Sequence, residues 1–194
     1  MTELVDAPES WPVEASEVTF EGHLISVRRD TVHHDASFDR EVITHPGAVA
    51  VVAADEDGRI LVIRQYRHPA QQRMFEVPAG LLDVHGEPPL EAAKRELAEE
   101  GLLAAERWTP LATMMPSAGV STEVIHLFLA EGLSQTPVPD GFEAKDEEAS
   151  MTRTWEPLDA VVDAVLAGRI TSGPLIVASL ALWRLRHAGP PTME

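Results

Sequence analysis

The segment that most constrains this chain is Arg95-Glu96-Leu97-Ala98-Glu99-Glu100. Leu90 to Glu100 is built from the helix formers Leu, Ala, Glu, Lys and Arg, follows Pro88-Pro89 and is closed by Gly101. That composition predicts a helix with the glycine as its stop. At about 100° per residue, Glu96, Glu99 and Glu100 fall within an arc of roughly 100°, while Leu90, Ala93 and Leu97 form the neighbouring stripe that faces a core. Three carboxylates therefore share one ridge. Like charges at i, i+4 destabilise a helix, and its macrodipole disfavours anions near the C-terminus, so the ridge is costly unless a cation binds there. Hard divalent cations take oxygen ligands, and magnesium typically shares one or two carboxylates with substrate phosphates. The ridge is expected to hold a metal and a phosphorylated ligand; its bland alternative is a solvated acidic face.

Charge and composition bound the partners. Over 194 residues, 32 Asp and Glu face 15 Lys and Arg, a formal charge of −17. Such a surface repels phosphate backbones, so no nucleic-acid partner is expected, although a local basic pocket for a small anion is compatible with it. The absence of cysteine excludes a disulfide, a thiolate zinc site and a cysteine nucleophile. Met1 to Pro12 lacks the cationic and apolar regions of a signal peptide, and the most apolar run, Leu175 to Trp183, is far shorter than the roughly 18 residues of a spanning helix. The expectation is a cytoplasmic protein without a membrane partner.

Along the chain, residues 1–16 read as a loose acidic arm. Val18 to Ile43 alternates in short stretches that suggest two or three strands, a small β appendage. Ala48 to Ala54 and Ile60 to Tyr66, joined by Asp55-Glu56-Asp57-Gly58, predict a hairpin with a tight turn. Those acids lack the downstream ligands of a calcium loop. A strand is expected at Val124 to Ala130, an acidic loop at Pro137 to Ala149 and a short strand around Met151 to Trp155. Helices are expected at Leu158 to Leu166 and about Pro174 to His187, the second apolar enough to be buried. This order predicts an α/β domain, a mixed β-sheet sandwiched between α-helices, over residues 46–194, with the N-terminal arm and β appendage over residues 1–45.

The residues around the acidic ridge resemble the Nudix hydrolase signature, G-x5-E-x7-R-E-U-x-E-E-x-G-U with U a bulky aliphatic residue. Here Gly80-Leu-Leu-Asp-Val-His-Gly86-Glu87 is followed by seven residues and then Arg95-Glu96-Leu97-Ala98-Glu99-Glu100-Gly101-Leu102, and the motif keeps its length of 23. Six residues rather than five separate Gly80 from Glu87, and none separates Glu100 from Gly101. Counted back from Arg95, Leu81 takes the place of the first glycine and Leu102 that of the last. The helix is expected to stop a residue early, at Gly101. The resemblance implies the Nudix fold, with Glu96 and Glu100 as principal ligands of Mg²⁺ or Mn²⁺, Glu99 assisting in catalysis and metal binding, and the carbonyl of Ala79 as a further ligand. It implies that Glu87 and Arg95 form a structural ion pair, and that Gly80 and Gly101 have structural roles.

Further segments are similar to the ADP-ribose pyrophosphatase branch of that family: Arg64-Gln65-Tyr66-Arg67-His68-Pro69, Phe75-Glu76-Val77-Pro78-Ala79-Gly80, Pro116-Ser117-Ala118-Gly119-Val120-Ser121-Thr122-Glu123 and the late acidic loop before Trp155-Glu156-Pro157-Leu158. The resemblance implies a small-molecule nucleoside diphosphate substrate, contacted by Arg67 and by Arg64, Ser117, Gly119 and Glu123. It places Glu147 or Glu148 on the attacking water. Ala118 stands where the branch usually has proline, so its loop keeps small residues but loses a rigid ring. The implied reaction is hydrolysis of ADP-ribose to AMP and ribose 5-phosphate by a homodimer, whose N-terminal appendage contributes to dimerisation and to the substrate site; Trp11, Phe20 and Phe38 are candidate partners for the adenine. Other nucleoside diphosphate derivatives, such as a nucleotide sugar or dinucleoside polyphosphate, and a non-catalytic ADP-ribose sensor are the alternatives.

Overall fold

The structure is a computed structural model that describes residues 4–137 and 150–188. The chain divides into two compact units, Met1–Pro46 with Ser117–Glu123, and Gly47–Pro116 with Val124–Glu194.

In the first unit, β1 (Val13–Glu21), β2 (Ser26–His33) and β3 (Ser37–Thr44) form an antiparallel sheet in sequence order. Its first strand begins inside the stretch expected to be a loose arm. All nine residues of β1 are exposed, so ladder hydrogen bonds to β2, rather than burial, hold it. The returning segment adds to β3: Ile43 N–H donates to Val120 O at 2.8 Å, and Thr122 N–H to Ile43 O at 3.0 Å.

The second unit contains two sheets. One has the order β7 (Ala79–Leu81), β4 (Ala48–Ala53), β9 (Ile125–Gln135), β8 (Leu103–Met114); the other has β10 (Thr152–Pro157), β5 (Arg59–Arg67), β6 (Gln72–Glu76). Strands β4 and β9 run parallel and the other pairs antiparallel, so the first sheet is mixed. Strand β4 is buried on both faces. Val49, Val51 and Ala53 pack with Leu61, Phe128 and with Ala92 and Ala93 of α1 (Pro89–Glu96), while Ala50, Val52 and Ala54 pack with Val161 of α2 (Leu158–Leu166) and Leu175 and Leu182 of α3 (Gly173–Ala188). This is the expected sheet between helices, because period-two alternation sends a doubly buried strand's side chains into both layers.

Two local expectations are corrected. The segments on either side of Asp55 share only the bridge Ala54↔Ile60 and then enter different sheets, so they do not form a hairpin ladder. The turn itself is present: Asp55 Oδ1 accepts from the N–H groups of Asp57 and Arg59 at 3.1 and 2.8 Å, and Gly58 has φ +81°. Strand β8 had no counterpart in the sequence expectation. It is an edge strand interrupted by an irregularity between Pro110 and Ala112, and an edge tolerates the proline that argues against a central strand. The helix does end at Gly101, as expected, but its last turn is not α-helical. Residues Leu97–Gly101 form a wide π-helical turn closed by a hydrogen bond from Leu102 N–H to Leu97 O, with Leu102 left-handed at φ 56°. Leu102 thus adopts the terminal conformation usually given to glycine.

Gly101 is needed for a different reason. A β-carbon there would lie 2.9 Å from Leu97 Cδ1 and 3.2 Å from Leu61 Cδ2. Gly101→Ala is expected to lower stability by about 1–3 kcal/mol through overpacking, measured by denaturant unfolding. A second expectation concerns acid. Partial burial raises the Asp55 carboxyl's pKa, but the hydrogen bonds from Arg59 and the Asp57 N–H outweigh it and hold the group below the ordinary carboxylate range. Its contribution is full above the unfolded-state value of about 3.9 and disappears as pH falls through the lower folded-state value. The stability gap between the native chain and Asp55→Asn should therefore close on acidification; a gap unchanged down to pH 2 contradicts the assignment.

Candidate active site

Helix α1 presses Ala92 and Ala93 into the core and the π-turn adds Leu97, which leaves Glu96, Glu99 and Glu100 to form the acidic ridge. Glu96 and Glu100 are buried at 8% and 4% exposure, far from the solvated acidic face considered above. Arg95 organises the cluster. Its Nε and Nη2 donate to Glu87 at 3.2 and 3.0 Å, and its Nη1 donates to Glu96 Oε1 at 2.5 Å and to Glu99 Oε2 at 3.2 Å. The hydrogen bonds with Glu87 lead the causes that raise the Arg95 pKa well above its ordinary value, despite the opposing effect of burial. The pair implied by the resemblance is present, and Arg95 also links the loop before α1 to two carboxylates of the ridge.

Strand β7 supplies the opposite wall. Ala79 N–H donates to Glu100 Oε2 at 2.8 Å, so Ala79 meets the ridge through its amide. Gly80 lies directly against Glu96, and a β-carbon at Gly80 would collide with the Glu96 carboxylate.

Strand β5 contributes a second polar group. Arg67 donates from Nη2 to Glu76 Oε2 at 2.8 Å and from Nε to both Glu76 oxygens at 3.1 Å, while Gln65 Nε2 donates to Glu76 Oε2 at 3.0 Å. Alternation places Gln65 and Arg67 on the face of β5 that carries Leu61, which packs with α1. Arg64 points to the other face, its guanidinium 5.2 Å from the centroid of the Phe75 ring. The structure therefore separates the two arginines that the sequence places together. Ser117, Gly119 and Glu123 belong to the first unit, where Ser117 O accepts from Val120 and Ser121 N–H and Glu123 Oε1 lies 3.9 Å from His45 Nε2. Glu147 and Glu148 lie outside the described residues.

Two partners escaped the sequence analysis. Glu76 anchors Arg67 from the adjacent strand, and Arg153 of β10 donates from Nε to the backbone carbonyl of Glu100. Their signal is register: Glu76 and Arg153 both pair with Ile63, so they share one face of the three-stranded sheet.

Gly80→Ala is expected to displace Glu96 and cost about 1–3 kcal/mol, whereas Gly86→Ala, at a loop position with open space, keeps the Glu96 contacts and costs only the strain of its φ of +77°. Denaturant unfolding, together with the crystal structure of the Gly80 variant, provides the check.

Residues 44–176 match the NUDIX domain family. The chain is 42% identical over 170 residues to an ADP-ribose pyrophosphatase of Mycobacterium tuberculosis, covering 87% of this chain and 81% of that protein. It is 38% identical over 122 residues to an ADP-ribose pyrophosphatase of Bacillus subtilis, with 62% of this chain and 65% of that protein covered. A methanol dehydrogenase activator of Bacillus methanolicus is 33% identical over 165 residues, covering 84% of this chain and 87% of that protein. A solved structure described as an ADP compounds hydrolase shares the fold at a TM-score of 0.74 and 18% identity, over 96% of this chain and 100% of the other. With its signature glutamates gathered on one helix end and the family match spanning most of its length, the chain belongs to the Nudix family.

Proposed function

We propose that this chain is a Nudix pyrophosphohydrolase that hydrolyses the diphosphate of ADP-ribose to AMP and ribose 5-phosphate, with Mg²⁺ or Mn²⁺ as cofactor. The observation that carries this reading is the charge imbalance at the acidic ridge. Glu87, Glu96, Glu99 and Glu100 are four carboxylates, two of them buried, and Arg95 is the guanidinium that bridges three of them. When all are ionised, this set carries an excess of three negative charges, and buried anions require compensation. The donors are all oxygens, as a hard divalent cation requires. Among the described residues no three carboxylate or histidine groups are placed to hold a metal ion together; Arg95 draws Glu96 and Glu99 to itself and Ala79 holds Glu100.

Glu96, Glu99 and Glu100 would hold the cation. Once bound, it would neutralise diphosphate oxygens and acidify a water. The protein's own residues supply position. Glu87 and Arg95 brace the loop against the helix, Ala79 aims Glu100, and Glu76 with Gln65 orients the Arg67 guanidinium, whose fork suits a phosphate or ribose oxygen. The names of the relatives from Mycobacterium tuberculosis and Bacillus subtilis support ADP-ribose as substrate. The proposed setting is a cytoplasmic homodimer to which the N-terminal unit contributes, without nucleic-acid or membrane partners; no described helix is long and apolar enough to cross a membrane.

Incubation of the purified chain with ADP-ribose and Mg²⁺, followed by chromatography, should yield AMP and ribose 5-phosphate in equal amounts. Glu96→Gln and Glu100→Gln should each reduce turnover by about a thousandfold or more while the circular dichroism spectrum is preserved. Retained activity in the double variant contradicts the metal assignment. Preferential cleavage of a nucleotide sugar or dinucleoside polyphosphate contradicts the substrate assignment. Binding of ADP-ribose without hydrolysis of any diphosphate identifies a sensor instead.

A further inference from the structure

We propose that Arg153 is a positioning residue for the acidic ridge, acting through the main chain of Glu100; this rests on the metal reading given above. A helix leaves its last carbonyls without intrahelical partners, and here that end carries two of the ridge glutamates. The carbonyls of Leu97, Glu100 and Leu102 are each satisfied differently. Leu97 O accepts from Leu102 N–H within the turn, and Leu102 O accepts from Thr136 N–H at 3.1 Å after β9. Glu100 O accepts from the Arg153 guanidinium of β10. Glu100 is thereby held twice, by Ala79 at its carboxylate and by Arg153 at its carbonyl.

The arrangement has an electrostatic consequence. A guanidinium at a helix C-terminus complements the macrodipole, and this one approaches an end that already bears Glu99 and Glu100. It achieves this without occupying the carboxylates, because it binds a backbone oxygen. Strand register makes the contact specific. Arg153 pairs with Ile63 on the face of β5 that also presents Leu61 to the π-turn. The neighbouring residues Thr152 and Thr154 alternate to the other face and cannot replace it. Arg153 is itself exposed, and its removal leaves no buried cavity.

The experiment compares the intact chain with Arg153→Met and Arg153→Lys. Mn²⁺ binding is titrated by electron paramagnetic resonance without substrate, and kcat and KM for ADP-ribose are then measured across Mn²⁺ concentrations. Arg153→Met should bind Mn²⁺ about tenfold more weakly, the scale seen when a group that orients a metal ligand is removed. Its kcat should recover in excess Mn²⁺ while KM stays within twofold. Arg153→Lys, which can still donate to the Glu100 carbonyl, should restore most of the affinity. Unchanged Mn²⁺ affinity in Arg153→Met overturns the proposal, as does a kcat loss that excess Mn²⁺ does not rescue. If the unmodified chain binds no Mn²⁺, the metal reading itself fails and the proposal falls with it, so the two failures are distinguishable.

Discussion

Arg95 joins three carboxylates that would otherwise repel one another. It connects Glu87, at the end of the loop before α1, to Glu96 and Glu99 on the helix, while the neighbouring stripe buries Ala92, Ala93 and Leu97 with residues of β4. Without that guanidinium, two elements that must approach closely would each present bare anions. Glu96, buried at 8% exposure, is held between this guanidinium and Gly80 of β7. Such a network is strong when complete and costly when a member is missing, because a buried charge without a partner retains its full desolvation penalty.

The π-turn adapts this framework to a motif with displaced glycines. One extra residue per turn lets Gly101 pass close to Leu97 and Leu61, while Leu102 takes the left-handed position. A leucine in that conformation carries steric cost, and the surrounding contacts must over-determine it. They come from the turn itself and from β9, through the hydrogen bonds that close Leu97 and Leu102 carbonyls. An irregular helix end is thus a stable platform for Glu99 and Glu100.

Much of this was legible in the residues. Alternation located the strands around Ala48–Ala54 and Ile60–Tyr66, and helix formers located α1, α2 and α3. Helical periodicity anticipated the acidic ridge of Glu96, Glu99 and Glu100, and the family resemblance implied the ion pair of Glu87 with Arg95. Other features were not legible. Strand β8 lacks a clean period and contains Pro110, features that an edge position permits but that sequence alone reads as irregular. The separation of Arg64 from Arg67 follows from strand pleat, which becomes visible only once the buried face of β5 is known.

By itself the sequence determined the chemical inventory: oxygen donors without thiols, three glutamates within one helix end, one arginine spaced to reach them, and the alternation that builds a two-layered core. These are properties of residue type and of local period, which do not depend on distant partners. The tertiary structure decided where β5 goes after its turn, which face Arg67 occupies, how the helix is capped at Leu102 and what satisfies the Glu100 carbonyl. Those outcomes depend on register between strands far apart in the chain, and register is set by the joint packing of all the layers rather than by any single segment.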